Sequence, residues 1–343
     1  MSQKTITKIF NYAAGEGADN LVITKLADQL IMDCYFSERE KRSLILPKRL
    51  EQELFSSLRK IMAIAPGEFI AQKYCELPHR NGCLNFYLTI LPETGGEKII
   101  INLIKKPRII WRLNQLGLQR TELHDLKKSL ALKSGLILIS SPDGGGRSAT
   151  LNALLLELSD SDKSIYVLEK YRAYEISGVV SLAPTTANWE KILSLDSEII
   201  LVENADETVL LKYALRAVES GRLVFATIKA SSSWETLKKV IDLPAPLKLK
   251  TDSLKMIVNQ RLAILKRPAG RNRNDKRRET GNKRREIGLF EILKFTPALK
   301  KLLIETAGQK FPVIQKKLEK LALKENWRSL ADDRFRKTKD GLI

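Results

Sequence analysis

The sequence predicts an α/β protein in which a smaller α+β domain precedes a larger domain built on a parallel sheet. The length of 343 residues suits two domains that each have a core of their own. Up to about residue 104, helical segments mix with strand-like segments, whereas later short apolar strands alternate with helices. A glycine-rich turn also joins a buried strand to a helix near residue 145. We expect a first domain at 1–106, a linker at 107–112 and a second domain at 113–343.

The elements of the first domain follow from hydrophobic spacing. Two helices and four strands are predicted, at 5–14 and 48–63 for the helices and at 21–24, 29–36, 84–91 and 98–104 for the strands. The last two strands are joined across a turn that contains Gly95 and Gly96, which is typical of a hairpin. Pro107 interrupts the pattern and is expected to mark the linker.

The second domain is predicted to alternate strands and helices. The strands are expected at 135–139, 164–168, 198–202 and 223–227, and the helices at 121–132, 148–158, 208–219 and 232–241. From Pro297 onward, within a C-terminal segment at 296–343, the sequence predicts a series of amphipathic helices. Residues 266–286 carry ten basic and three acidic residues and are predicted to form an exposed basic loop.

Composition limits the classes of function. The chain has 59 Lys and Arg against 40 Asp and Glu, a net charge of +19, which attracts the phosphates of nucleotides, nucleic acids or anionic lipids without choosing among them. Its three cysteines include no CxxC pair, which argues against a disulfide framework and a thiolate zinc site and favours a reducing cytosol. The sequence has neither an apolar run long enough for a spanning helix nor the apolar core of a signal peptide, so any membrane contact is expected to be peripheral.

The glycine-rich turn has the features of a phosphate-binding loop. Backbone N–H groups at a helix N-terminus bind anionic oxygens, glycines allow close approach, and a Ser or Thr hydroxyl ligates Mg²⁺. The candidate nucleotide-binding residues are Pro142, Gly144, Gly145, Gly146, Arg147, Ser148 and Ala149, with Ser148 as the Mg²⁺ ligand. The alternative is a glycine-rich turn that binds no ligand.

The pattern GxxxxGK[ST] is broken at two positions. Ser141 stands where the first glycine belongs, and Arg147 stands where the lysine belongs. Lysine is a compact point charge, whereas arginine is a wide planar fork, so the replacement is expected to impair hydrolysis more than binding. Asp143 adds a negative charge that should weaken phosphate binding further.

Several segments carry a family resemblance. GLILISSPDGGGRSATLNALLLEL resembles the phosphate-loop segment of the secretion ATPases that drive type II secretion and type IV pilus assembly. SIYVLEKYRAYEI resembles their acidic box, LDSEIILVENADE their Walker B region, and GRLVFATIKASSSWETLKKVIDL their histidine box. VNQRL, REIGLFEIL, GADNLVI, TGGEKIIINLI and the closing NWRSLADDRFRKTKDGLI match further segments in the family's order.

The resemblance implies a fold, ligands and partners. It implies a PAS-like first domain, a RecA-like second domain, assembly into a hexamer, and use of ATP with Mg²⁺. It also implies contact with an inner-membrane platform protein, and hence a cytoplasmic protein at the inner face of the plasma membrane. Because the chain begins directly with the PAS-like segment, we expect the extra N-terminal docking module of many members to be absent.

The family's catalytic positions are altered in this chain. The resemblance aligns the Walker B glutamate with Asn204, although a shift of one residue offers Glu203, and it retains Glu169 of the acidic box. The two histidines of the histidine box align with Arg222 and Lys229. Among the arginines of the first domain, Arg80 is the expected remnant of the family's arginine fingers. The tetracysteine zinc loop is replaced by the basic loop, so no zinc site is expected.

Functional and structural roles remain open for single residues. Glu169 fits equally a group that positions water or Mg²⁺ and a solvated carboxylate at a strand end. Thr227 is expected to end a strand, and Trp189 and Trp234 are expected to pack in the core rather than to bind ligand. The glycines of the turn are expected to keep its shape in either case.

Two main hypotheses about the function follow, together with a weaker third. The chain is predicted to be a degenerate, weakly active or inactive subunit of a pilus or secretion motor, in a ring of its own or beside an active paralogous ATPase. The alternative is an active ATP-hydrolysing motor subunit. A DNA-associated competence-type protein is the weaker alternative, because the basic loop lacks interleaved aromatic residues for base stacking and would bind anionic surfaces without specificity.

Overall fold

The computed structural model divides the chain into two compact units, Met1–Pro107 and Arg108–Ile343. The structure describes residues 2–26, 29–36, 40–62, 70–79, 82–93, 96–104, 110–169, 176–206, 208–242, 252–266 and 286–343. Most of the basic loop, residues 267–285, therefore lies outside the described residues, as does Arg80. Within the described residues, no helix is long and apolar enough to cross a membrane.

The first unit is an antiparallel sheet with two helices. The elements are α1 (Ser2–Glu16), β1 (Asn20–Lys25), β2 (Leu30–Tyr35), β3 (Lys41–Leu46), α2 (Glu51–Met62), β4 (Ile70–His79), β5 (Gly82–Glu93) and β6 (Gly96–Ile104). The strand order is β3-β2-β1-β6-β5-β4, with every neighbouring pair antiparallel. The predicted hairpin is confirmed as β5 and β6, whereas β3 and β4 were not predicted.

The core of the first unit is built from alternating strand residues and one face of each helix. Leu21 and Ile23 of β1 are fully buried while their neighbours are partly exposed, as expected for a sheet with one face in the core. Phe10 of α1 meets Phe86 of β5 with ring centroids 4.9 Å apart, and Leu54 of α2 joins the same cluster. The helices thus cover the inner face of the sheet.

The second unit is a mostly parallel sheet with helices on both faces. Its elements are α3 (Arg120–Leu130), β7 (Gly135–Ser141), α4 (Arg147–Leu158), β8 (Ile165–Leu168), β9 (Val179–Leu182), α5 (Thr186–Ser194), β10 (Ile199–Val202), α6 (Thr208–Glu219), β11 (Leu223–Lys229), α7 (Ser233–Ile241), β12 (Leu254–Ile264), β13 (Glu286–Lys294), α8 (Pro297–Glu305), α9 (Phe311–Lys324) and α10 (Leu330–Lys339). The strand order is β13-β12-β7-β11-β10-β8-β9, and among the strands that the structure describes only the β12–β13 pair is antiparallel.

Strand β7 shows how the two faces are covered. Leu136 and Leu138 belong to one buried cluster, with α5 to α9, and Ile137 and Ile139 belong to the other, with α3 and α4. A strand buried on both faces reads as a continuous apolar run, which is why the sequence identifies β7. Because all four parallel neighbours end at the same edge of the sheet, the loops after β7, β8, β10 and β11 lie side by side.

Some element boundaries differ from the sequence prediction. Strand β7 continues to Ser141 and β11 to Lys229, because Ile228 and Lys229 pair with Ser140 and Ser141. Thr227 therefore does not end its strand, and that prediction is wrong. Strands β9, β12 and β13 and helix α5 were not predicted as elements, since β9 is short and partly exposed and β12 and β13 carry polar residues in their interiors. The predicted C-terminal helices are confirmed as α8, α9 and α10.

Candidate phosphate-binding site

The glycine-rich loop lies between β7 and α4, at the carboxyl edge of the parallel sheet. The N–H of Gly145 donates to the carbonyl of Pro142 over 3.1 Å, which closes a tight turn that contains Asp143. Helix α4 then begins at Arg147 with Gly146 as its N-cap, and Ala149 follows in its first turn. The N-cap has no side chain to bond the first N–H groups of α4, so these groups are available to an anion.

Two glycines are required by the shape of this loop. Gly146 has φ +92°, and a Cβ at this position would lie 2.8 Å from Nε2 of Gln260. A Cβ at Gly145 would lie 2.6 Å from the side chain of Ser141. Both positions therefore exclude a larger residue, the first through its left-handed backbone and the second through lack of space. Gly144 has φ +72° but open space around it.

A buried polar network fixes the loop from below. Nε2 of Gln260 donates to the carbonyl of Gly145 over 2.8 Å, and Oγ1 of Thr150 donates to Oε1 of Gln260 over 2.5 Å. Next to Gln260 on β12, Nδ2 of Asn259 donates to Oγ of Ser140 over 2.8 Å. Sequence reasoning noted the VNQRL segment but gave Gln260 no role, because only the pairing of β12 with β7 brings it beneath the loop.

The structure brings Ser148 and Glu203 together. Oγ of Ser148 donates to Oε1 of Glu203 over 2.6 Å, and Glu203 follows β10 directly. Of the two alternatives for the Walker B carboxylate, Glu203 is thus the residue that contacts the loop. Asn204 has φ 56°, and its N–H donates to Oγ1 of Thr227 over 2.8 Å, which gives the neighbouring residue a role in the turn. A hydroxyl and a carboxylate are oxygen ligands of the kind that Mg²⁺ prefers.

Glu169 lies at the end of β8, next to β10. The N–H of Glu203 donates to the carbonyl of Leu168 over 2.9 Å, so the two glutamates follow neighbouring strand ends. Oε1 of Glu169 accepts from Oγ of Ser181 over 2.6 Å. The candidate carboxylates therefore share one edge of the sheet, and only Glu203 has a described hydrogen bond to Ser148.

Four charged side chains surround the loop. Arg147 pairs with Oδ1 of Asp143 over 3.3 Å and lies 3.6 Å from Oδ2 of Asp206. Nζ of Lys229, at the end of β11, contacts the other oxygen of Asp143. The N–H of Lys229 donates to Oδ1 of Asp206 over 2.6 Å. These two cations and two carboxylates neutralise each other, and the carboxylate of Glu203 lies beside them on Ser148.

Sequence reasoning missed part of this cluster. It flagged Asp143 and Arg147, and it noted Lys229 only as the replacement of a family histidine, while Asp206 received no role. The signal that could have found Lys229 is the length of β11, because two further residues of pairing bring this lysine level with Ser141. The hydrogen bond from Lys229 to Asp143 lowers the pKa of that carboxyl, and the charges of Lys229 and Arg147 lower it further.

The other flagged residues lie away from the loop or pack in the core. Arg222 donates to Oγ of Ser197 and to the carbonyls of Leu193 and Leu195, so it closes the end of α5. Trp189 is fully buried and stacks on Tyr213, and Trp234 packs edge-on against Trp327, so the prediction that both tryptophans pack is confirmed. Among the described residues, no group of three His, Cys, Asp or Glu could hold a metal ion.

Comparison with known proteins identifies the family. A family model described as "Type II/IV secretion system protein" matches residues 74–341. The putative type II secretion system protein E of Escherichia coli K12 is 26% identical over 231 residues, which cover 64% of this chain and 47% of the relative. The type IV pilus assembly ATPase PilB of Pseudomonas aeruginosa is 23% identical over 256 residues, 65% of this chain and 45% of PilB. The chain thus spans about half the length of these curated relatives.

Solved structures show the same fold. The pilus retraction motor PilT with bound ADP superposes with a TM-score of 0.71 at 19% identity, covering 98% of this chain and 94% of that one. The ATPase DotB of Legionella pneumophila gives 0.67 at 17% identity, covering 100% and 94%. These similarities confirm the predicted class, a RecA-like α/β domain preceded by a smaller sheet domain. With a family model that matches most of its length, the chain belongs to the type II/IV secretion system proteins, the family that includes the type II secretion and type IV pilus ATPases.

Proposed function

We propose that this chain is a degenerate subunit of a pilus or secretion motor, one that binds ATP weakly and hydrolyses it slowly or not at all. One observation carries the proposal: the arginine at the lysine position of the loop is already paired with Asp143 and Asp206. A planar guanidinium held between two carboxylates cannot follow the phosphate chain as a lysine ammonium does. An anion that enters the loop must therefore compete with carboxylates of the protein itself.

The remaining residues fit a phosphate chain and Mg²⁺. Gly145 and Gly146 keep the loop in this shape, since a Cβ at either position would collide with Ser141 or Gln260. In this proposal the backbone from Gly144 to Ser148 receives the phosphates, Pro142 shapes the turn, and Ala149 continues the helix. Ser148 and Glu203 supply oxygen ligands for Mg²⁺, and Glu169 is the second candidate carboxylate. Bound Mg²⁺ would neutralise charge on the phosphates.

The wider assembly is part of the same proposal. Residues 1–106 serve as the PAS-like domain, 107–112 as the linker and 113–343 as the RecA-like domain of a subunit in a hexameric ring. We propose that the ring, homomeric or shared with an active paralogue, works at the inner face of the plasma membrane with an inner-membrane platform protein. The basic loop at 266–286 would contact anionic surfaces without sequence specificity, and no zinc site is part of the proposal.

An active motor subunit is the second candidate. It is favoured by the 2.6 Å hydrogen bond between Ser148 and Glu203, which keeps a carboxylate next to the hydroxyl at the start of α4. A carboxylate there could orient an attacking water, a role that the amide of Asn204 cannot take as a base. The two candidates differ in the turnover rate that they predict.

The test measures ATP binding and phosphate release together. ATP binding is measured by calorimetry in the presence of Mg²⁺, and hydrolysis is measured by a phosphate-release assay. Both are run on the wild type, on Arg147→Lys and on the control Arg334→Lys, which changes an exposed arginine of α10. We expect weak binding and slow release in the wild type. In Arg147→Lys we expect binding about tenfold tighter and faster release, because one charge-assisted hydrogen bond is worth about 1.5–3 kcal/mol. The control should match the wild type.

Each alternative result has a meaning. Turnover by the wild-type protein at the rate of a motor would make it an active subunit and refute the degenerate role. If neither the wild type nor Arg147→Lys bound ATP, the loop would be a structural turn without ligand.

A further inference from the structure

Asp143 lies between the two cations of the loop. Its two carboxylate oxygens have different partners, Oδ1 with the guanidinium of Arg147 at 3.3 Å and Oδ2 with the ammonium of Lys229. The two cations come from different elements, one from the start of α4 and one from the end of β11. The carboxylate of Asp143 thus joins both sides of the loop.

The two cations that hold this carboxylate are of the kind that also bind a phosphate group. A phosphate oxygen binds the same donors as a carboxylate oxygen, namely an arginine fork and a lysine ammonium. Nη1 of Arg147 is buried and has no hydrogen-bond partner among the described residues, and its contact with Asp206 is a longer ion pair at 3.6 Å. Arg147 therefore retains a donor for a further oxygen atom.

The ion pairs of Asp143 with Arg147 and Lys229 can open at a small cost in free energy. The side chain of Asp143 is 70% exposed and that of Lys229 is 56% exposed, whereas Arg147 is only 13% exposed. Exposed ion pairs in water contribute little to stability, because solvent and salt replace them. Arg147 is held in place by its surroundings, while Asp143 can rotate into solvent.

A purely structural role for Asp143 has less support. An acid just before a helix usually bonds the first N–H groups, yet the N-cap of α4 is Gly146 and the described side-chain partners of Asp143 are the two cations. Lys229 in turn does not need Asp143 to hold its backbone, because its N–H donates to Asp206.

We propose that Asp143 is an internal anion that occupies the phosphate position of the loop and must leave before a nucleotide phosphate can pair with Arg147 and Lys229. Lys229 is then the second cation of the site, supplied by the neighbouring strand in place of the missing loop lysine. This inference rests on the proposed function, since it describes how the same site is kept closed. The ligand class is a polyphosphate chain, either in a nucleotide or as free tripolyphosphate.

The test compares four proteins by calorimetry with tripolyphosphate and with Mg²⁺–ATP. They are the wild type, Asp143→Asn, Lys229→Gln and the double variant. We expect Asp143→Asn to bind both probes about two- to fivefold tighter, the gain that corresponds to removing a competing exposed ion pair worth up to about 1 kcal/mol. Lys229→Gln should weaken binding more in the Asp143→Asn background than in the wild type, where Lys229 is already engaged.

Matched controls separate local from general charge effects. Asp160→Asn removes an exposed carboxylate beyond the far end of α4, and Lys128→Gln removes an exposed ammonium near the opposite end of β7. Neither variant should change the affinity for either probe appreciably, because physiological salt largely screens exposed charges that are remote from the site. If Asp143→Asn failed to fold, Asp143→Ser provides the same loss of charge with a smaller side chain.

The outcomes separate this inference from the proposed function. Equal binding by the wild type and Asp143→Asn would refute the internal anion while leaving a weak nucleotide-binding subunit intact. An unchanged affinity in Asp143→Asn/Lys229→Gln relative to Asp143→Asn would remove Lys229 from the site. Absence of binding in every variant, Arg147→Lys included, would refute the proposed function and this inference together. Tighter binding of ATP but not of tripolyphosphate would contradict a phosphate-based mechanism.

Discussion

Two charged clusters in the second unit have similar composition and opposite burial. The loop cluster consists of Asp143, Arg147, Lys229 and Asp206, and most of its side chains are exposed. The closing-helix cluster consists of Asp333, Arg336 and Lys337 on α10, where the side chains of Asp333 and Lys337 are 0% and 2% exposed. The difference teaches that similar charges contribute differently to the fold, because an exposed ion pair adds little to stability whereas a buried pair is a fixed part of the structure.

The buried cluster is also bonded to the sheet. Oδ2 of Asp333 accepts from the N–H of Phe290 over 3.0 Å and from Nζ of Lys337 over 2.6 Å. Nζ of Lys337 donates in addition to the carbonyl of Gly288 over 2.6 Å. These bonds attach α10 to β13 and satisfy both charges. Their geometry explains why a helix with many charged residues can pack against the core.

The largest effect is expected from breaking the buried pair. Asp333→Asn should lower the free energy of unfolding by about 3–5 kcal/mol, because the ammonium of Lys337 is left as an uncompensated buried charge. Lys337→Met should lower it less, because Arg336 still pairs with Asp333 over 2.6 Å. Lys339→Met, an exposed lysine of the same helix, is the matched control. Urea denaturation followed by circular dichroism measures both. A loss below about 1 kcal/mol would mean that burial does not distinguish the two clusters.

The same pair predicts acid sensitivity. Burial alone would raise the pKa of Asp333, but hydrogen bonds from Lys337, Arg336 and the N–H of Phe290 outweigh it and lower the pKa below its ordinary value. A carboxyl with a lowered folded pKa contributes stability that is present above its unfolded pKa and is lost as the pH falls through its folded pKa. We therefore expect this contribution to begin to decline below about pH 4, the ordinary pKa of an aspartate, and to be lost as the pH falls through the lower folded pKa.

Glu122 of α3 acts in the opposite direction. Burial raises the pKa of Glu122, so its protonation precedes that of Asp333 as the pH falls and removes a buried negative charge from the folded state. The free energy of unfolding, measured by urea denaturation at a series of pH values, should thus fall more steeply at low pH in Glu122→Gln than in the wild type. Only the wild type gains stability from the protonation of Glu122. Parallel curves for the two proteins would contradict this assignment.

An intermediate effect is expected from the glycines beneath the exposed cluster. Gly146→Ala should lower the free energy of unfolding by about 1–3 kcal/mol, through a strained left-handed backbone and a clash with Gln260. Gly144→Ala is the matched variant, because Gly144 also has positive φ but no neighbour in reach, and it should cost about 1–2 kcal/mol. Thermal unfolding of the two variants separates strain from the clash. Equal losses would show that Gln260 gives way.

The smallest effect is expected at the exposed charges themselves. Asp143→Asn should change the free energy of unfolding by less than about 1 kcal/mol, since the side chains of Asp143 and Lys229 are exposed and the loop is shaped by Gly146 and Gln260. Urea denaturation beside Asp333→Asn gives the direct comparison of the two clusters. A loss as large as that of Asp333→Asn would make Asp143 a structural residue of the loop.

Much of the fold was predictable from local pattern. The apolar runs of β7, β10 and β11 are buried on both faces and read directly as strands of a parallel sheet, and the glycines after β7 indicate the turn. Strand β9 was missed because it is short and partly exposed, and β12 was missed because its interior carries Asn259 and Gln260. These amides are tolerated only because the loop and its neighbours bond them, which local pattern does not reveal.

The candidate site was predictable in its parts but not in its pairings. The loop residues from Pro142 to Ala149 and both glutamates, Glu169 and Glu203, were identified from the sequence. The sequence left open whether Asn204 or Glu203 contacts Ser148. Only the structure decided it, because a shift of one residue in the end of β10 would exchange the two. Asp206 and Gln260 were found only through contacts between residues far apart in the chain.

The sequence by itself determined the fold class, the glycine-rich loop and the arginine at its lysine position, since these depend on neighbours along the chain. Only the tertiary structure decided that Lys229 and Arg147 meet at Asp143, and that Asp333 and Lys337 are buried together. The physical reason is that charge pairing depends on distance and on exposure to water. Both are fixed by the pairing of β11 with β7 and by the packing of α10 on β13.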